Sequence, residues 1–185
     1  MKKIFFCFLI FTLGILQTGW GETLRKPVWS GRFYPSETAA LKQMIEKMVA
    51  VAQKSTDIQL PDGKLRALIM PHAGYIYSGL TAAHAGKVLH ANQFSKVIIM
   101  GPDHRVGIDH VALSDVNAYE TPLGKIFLHP DALKLRQESK IFKAVALSDK
   151  SEHSVEVILP FLQYFLKSFK FIPMVVGEVD PKMLI

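Results

Sequence analysis

The sequence predicts an α/β fold, a mostly parallel sheet flanked by helices, and three observations carry that expectation. Ala67 to Met70 is a short apolar run that stops at Pro71, and His72 follows at once. Runs of four to eight apolar residues cut off by Pro or Gly read as buried strands. The same grammar returns at Lys96-Val97-Ile98-Ile99-Met100, a β-branched run ended by Gly101-Pro102 and followed by Asp103-His104. An Ala-rich helical stretch near Leu80 to Leu89 lies between the two. Strand, helix and strand make a βαβ unit, with the strands parallel and in one sheet. Both histidines then fall just past the carboxyl ends of their strands, the edge at which open α/β sheets build sites.

The other elements follow in chain order. Lys2-Lys3, the apolar stretch Ile4 to Leu16 and the small residues Gly19 and Gly21 have the layout of a secretory signal. The expectation is a cleaved signal peptide over residues 1–21 and one domain over 22–185, placed in the periplasm or secreted. The apolar stretch falls short of the roughly 20 residues a membrane span takes, so no stable span is expected after cleavage. Cys7, the only cysteine, lies inside that stretch, so the mature chain would carry neither a disulfide nor a thiolate ligand.

Trp29 to Pro35 mixes aromatics with Gly and Pro and reads as an ordered lead-in, with Ser36 a candidate N-cap. Leu41, Met44, Ile45, Met48, Val49 and Ala52 recur at three and four, the pattern of an amphipathic helix. Past the second core strand, Val111 to Ser114 and Lys125 to Leu128 read as strands around a turn at Tyr119 to Gly124. Asp131 to Gln137 reads as a short helix and Ala144 to Leu147 as extended. A helical stripe from Val155 to Phe169 contains Pro160, which must kink the helix or mark its start. Phe171 to Val176 is a last buried run, and Pro173 inside it predicts an edge position or a bulge.

An apolar fraction of 49% supports a packed core rather than disorder. The formal net charge of +6 comes without a dense Lys/Arg run, so no nucleic-acid partner is expected. No Gly-x-Ser-x-Gly elbow, phosphate loop or His-Glu-x-x-His helix appears, which sets aside those chemistries.

Neutral imidazole binds iron, copper, zinc and nickel, and histidines on adjacent parallel strands can face one ion. His72 and His104 are therefore the candidate metal ligands. Asp103 is a weaker candidate for a third, because neighbours in a turn often point apart. His153 and Glu156 stand three apart at the start of the late helical stripe, so they share a face. They are candidates for an acid/base pair or for hydrogen-bonding partners of the ligands, set against the plainer reading of a solvated helix end. Tyr75 and Tyr77 are candidate pocket residues. His84, His90 and His129 read as surface or capping residues.

Taken together, Pro71-His72-Ala73-Gly74-Tyr75, Ser78-Gly79, Gly101-Pro102-Asp103-His104, Glu152-His153-Ser154-Val155-Glu156 and Leu159-Pro160 form an ordered series. That series resembles the Memo family, which includes the B protein of the AmmeMemoRadiSam system. The resemblance implies a core similar to the class III extradiol dioxygenases, which are non-haem iron enzymes. It implies a divalent metal, iron first with copper or zinc as alternatives, and oxidoreductase chemistry with dioxygen. It also implies a third ligand from a late cysteine, which this chain lacks, so the chain is expected to be incomplete at its C-terminus. The implied partners are a small-molecule or peptide ligand in the strand-end cleft and other AmmeMemoRadiSam proteins. Two further readings stay open: a non-enzymatic ligand- or partner-binding module, and metal-assisted hydrolysis.

Overall fold

The computed structural model describes residues 23–55, 62–180 and 182; the expected signal peptide lies outside the described residues. Among the described residues, two small sheets and five α-helices make up the fold. One sheet runs in the order β1-β4-β5, with β1 (Leu24–Arg25), β4 (Ala118–Thr121) and β5 (Gly124–Phe127). The other runs β2-β7-β3-β6, with β2 (Lys96–Pro102), β7 (Lys170–Val176), β3 (Val111–Ala112) and β6 (Phe142–Lys143). The helices are α1 (Thr38–Lys54), α2 (Tyr75–Ala83), α3 (Asp131–Glu138), α4 (Ala146–Ser151) and α5 (Leu159–Leu166). The architecture is α/β as expected, but the sheets are mixed. β2 and β7 are parallel over seven residues, whereas β3 and β7 are antiparallel, as are β4 and β5.

β7 shows why the sheet sits between two layers. Its side chains alternate, as a strand requires. Phe171 and Val175 enter the larger core with Leu41 and Ile45 of α1, Tyr75 and Ala82 of α2, and Phe161 and Phe165 of α5. Ile172 and Met174 enter a smaller core with Ala132 of α3, Val111, Leu113 and Ile141. The 3.6-residue stripe of α1 is the reason it packs there: Leu41, Ile45, Val49 and Ala52 are buried, with Met44 and Met48 beside them. Burying Leu41 or Ile45 contributes about 1.5–3 kcal/mol each.

Pro173 lies in an interior strand rather than at an edge, because β7 has β2 on one side and β3 on the other. The exception has a local cause. Phe171 O accepts from His129 N on the side away from β2, and alternation turns Pro173 to that same side. There it falls between the bridge to Leu128 and the β3 pairing that begins at Val175, so its missing N–H breaks no ladder bond.

The Ala67 to Met70 run is a second correction. Residues 65–70 pair with no strand among the described residues, and Ile69 is 99% exposed. The segment runs alongside β2, separated from it by an apolar hollow of about 370 Å³ over Leu89, Phe94, Ile158, Leu162 and Leu166. The expected βαβ unit therefore keeps its second strand and its crossover, and its first strand stands off the sheet. The crossover helix α2 begins at Tyr75, earlier than the Ala-rich stretch predicts. The turn between β4 and β5 shrinks to Pro122-Leu123, and part of the extended stretch near Ala144 is the helix α4. Pro160 sits in the first turn of α5, so it marks the helix start.

Candidate metal centre

β2 delivers His104. The strand ends at Pro102, and the turn beyond it is tied down by Asp103. That carboxylate accepts from the backbone N–H of Arg105, Val106, Gly107 and Ile108 at 2.6–3.1 Å. These bonds hold its pKa below the usual carboxylate value against the opposing effect of burial. Asp103 thus builds the turn that presents His104 and does not join the histidines.

The segment between α4 and α5 delivers His153. It packs against the end of β2 closely enough that a Cβ on Gly101 would run into Ser154 Oγ, so only glycine fits there. Ser154 Oγ donates to Pro102 O at 3.0 Å, which fixes the approach. The extended run 64–71 delivers His72 from the far side of the hollow.

These three routes converge. His72, His104 and His153 each offer a ligand atom, and those atoms lie within 4.8 Å of one another. The ring centroids of His104 and His153 are 4.5 Å apart and stacked, and His72 lies 5.3 Å from the first and 5.8 Å from the second. Trp29 and Phe33 of the lead-in pack against the His153 ring at 5.4 and 4.8 Å. The cluster borders an open cleft of about 620 Å³ lined also by Ile69, Met70, Pro71 and Ala73.

Glu152 organises the cluster from beneath. It is 2% exposed; its Oε2 accepts from His104 N at 2.7 Å, and its Oε1 accepts from His104 Nδ1 at 2.9 Å. The same Oε1 accepts from the backbone N–H of His153 and Ser154. Burial opposes the charge, but these bonds outweigh it and hold the Glu152 pKa at about 2. An ionised carboxylate only accepts, so Nδ1 of His104 donates in this bond.

Burial, with the neighbouring His104 next, lowers the pKa of His72. Burial also lowers that of His153, against the pull of Glu152 and with smaller contributions from the other two histidines. Both rings are therefore neutral at pH 7, the ligating form. His153 Nδ1 is buried without a hydrogen bond; it lies 3.2 Å from Glu152 Oε1 but out of bonding geometry. Three converging imidazoles, one of them with an orphaned ring nitrogen, fit a divalent ion such as iron, copper or zinc.

Glu156 goes elsewhere. Residues 152–155 are not helical, so His153 and Glu156 do not share a helix face as the spacing predicts. Glu156 is fully buried under the lead-in. Its carboxylate pairs with Arg25 Nη1 at 2.6 Å and accepts from Tyr34 Oη at 2.7 Å and from the backbone N–H of Val28 and Trp29. Burial first, and this carboxylate next, push the Tyr34 hydroxyl pKa upward. Tyr75 is buried with its hydroxyl on Val157 O, and Tyr77 is exposed. The convergence of His153 on the other two histidines, and Glu152 beneath them, escaped the spacing argument. The only signal was the Glu152-His153-Ser154 triplet itself.

A family model described as Memo-like protein matches residues 25–184. A MEMO1 family protein of Thermoplasma volcanium is 36% identical over 159 residues, covering 85% of this chain and 57% of the relative. One of Nitrosopumilus maritimus is 35% identical over 164 residues (86% and 59%), and one of Methanobrevibacter smithii is 38% identical over 162 (84% and 57%). The chain thus spans under three fifths of the length of these relatives.

Proposed function

The chain belongs to the Memo family, and from that premise we propose that it is a metal-dependent protein in which His72, His104 and His153 hold one divalent ion. Iron is the first expectation, and oxidoreductase chemistry with dioxygen is the reaction class. The observation that carries the metal reading is the convergence of three ligand atoms within 4.8 Å, two of them on histidines whose rings are kept neutral. Three protein ligands leave positions open for a substrate.

A bound ion supplies Lewis-acid polarisation of whatever occupies the open positions and, if it is iron, access to dioxygen chemistry. The chain's own residues do the rest. Glu152 fixes the tautomer and the orientation of His104. Trp29 and Phe33 restrict the His153 ring and cover it from solvent on their side. His153 moves, in this reading, from an acid/base role to that of third ligand. Glu156 serves the lead-in and holds no proton for the reaction.

Metal content and affinity of purified protein test the reading, with His72→Ala, His104→Ala and His153→Ala alongside. One equivalent in the wild type and loss of specific uptake in each variant is the expected result. A wild type that takes up no metal supports instead a metal-free ligand cleft, and variants that match a metal-loaded wild type remove the histidines from the site. A zinc-only protein turns the reaction class toward hydrolysis.

Export and partners extend the same proposal. The layout of Lys2-Lys3, Ile4 to Leu16, Gly19 and Gly21 supports a signal cleaved after Gly21 and a periplasmic or secreted product. Among the described residues no helix is long and apolar enough to cross a membrane. The family resemblance supports AmmeMemoRadiSam proteins as partners. An intact mass starting near Glu22 on periplasmic material is the expected result, and a retained Met1 in cytoplasmic material overturns it.

A further inference from the structure

Arg105 follows His104 directly in the turn that Asp103 ties down. Its guanidinium carbon stands 4.9 Å from the centre of the Trp29 ring, and Trp29 itself packs against His153. One aromatic side chain therefore connects an exposed cation to the histidine cluster. Among the described residues no carboxylate lies within ion-pair distance of that guanidinium. The nearby acids are already committed: Glu152 accepts from His104, His153 and Ser154, and Asp103 accepts from four backbone N–H groups.

An exposed guanidinium with no carboxylate partner points to an anionic ligand. The planar guanidinium fork matches the two oxygens of a carboxylate. Trp29, with Phe33 packed 4.7 Å from it, gives an aromatic surface beside that guanidinium.

We propose that Arg105, held on Trp29 beside the three-histidine cluster, is a specificity-determining residue that recognises the carboxylate of a small aromatic or apolar organic acid. This rests on the metal reading only for the role of the neighbouring histidines; the Arg105–Trp29 geometry stands without it.

Calorimetric titration with benzoate, benzyl alcohol and inorganic phosphate tests the proposal, on metal-loaded and on metal-free protein. Wild type should prefer benzoate to benzyl alcohol. Arg105→Gln should weaken benzoate by about tenfold or more, the usual worth of a charge-assisted hydrogen bond, with benzyl alcohol, metal uptake and melting unchanged. Arg105→Lys should recover part of the loss, because charge returns without the fork. Trp29→Leu should weaken benzoate on the metal-free protein as well, because Arg105 loses the ring that holds it. Equal benzoate binding in wild type and Arg105→Gln overturns the proposal, as does a preference for phosphate. Arg105-dependent benzoate binding in a protein that takes up no metal upholds this proposal and sinks the metal reading.

Discussion

Glu152 holds His104 at two points, Oε2 to the backbone N–H at 2.7 Å and Oε1 to the ring Nδ1 at 2.9 Å. The pair fixes both where the ring stands and which nitrogen is free. Glu152→Gln presents a mixed donor and acceptor to that ring and should lower metal affinity about 10–100-fold. Competition against a chelator measures it. Affinity equal to wild type would falsify the orienting role.

The same carboxylate makes a pH prediction for the metal-free protein. Its pKa is about 2 folded, against 4.5 for the free side chain. A depressed pKa contributes stability that is present in full above pH 4.5 and is lost as pH falls from there towards 2. Melting temperature followed down this window should therefore drop more steeply in the wild type than in Glu152→Gln. Parallel curves would remove Glu152 from the acid response.

Glu156 and Arg25 form a buried pair, and removing one charge strands the other. Glu156→Gln should cost about 3–5 kcal/mol in chemical denaturation, while folded protein still binds one equivalent of metal. A variant of unchanged stability that has lost its metal would return Glu156 to the site.

β2 exposes both its outer edge and its outer face, with Ile98 54% and Met100 68% exposed. Open apolar edges template pairing between chains, and an edge lysine blocks it. Ile98→Lys should reduce concentration-dependent light scattering and leave the far-UV spectrum intact. Scattering that does not respond would mean association runs through another surface.

Local pattern was enough for much of this molecule. The spacing of Leu41, Ile45 and Val49 is sufficient to bury one face of α1. The β-branched run before Gly101-Pro102 is sufficient to make β2, and a strand end is sufficient to expose His104. Pro160 limits its helix to a start or a kink at that point. Periodicity and breaker residues act within a few residues, so they are visible in one dimension.

What depended on partners far along the chain was not legible. Ala67 to Met70 has the composition of a buried strand, yet β2 does not pair with it, and pairing lies outside composition. Pro173 reads as an edge residue until β3 and Leu128 leave a gap on its side of β7. His153 and Glu156 are three residues apart and serve different ends. Arg25 and Tyr34, more than a hundred residues upstream, draw the glutamate under the lead-in. Gly101, fifty residues upstream, lets the histidine reach His104. Local pattern carried the class of fold and the family. Only tertiary structure brought His153 to His72 and His104 and set Glu152 beneath them, because segments about fifty and eighty residues apart meet through packing that neither segment records.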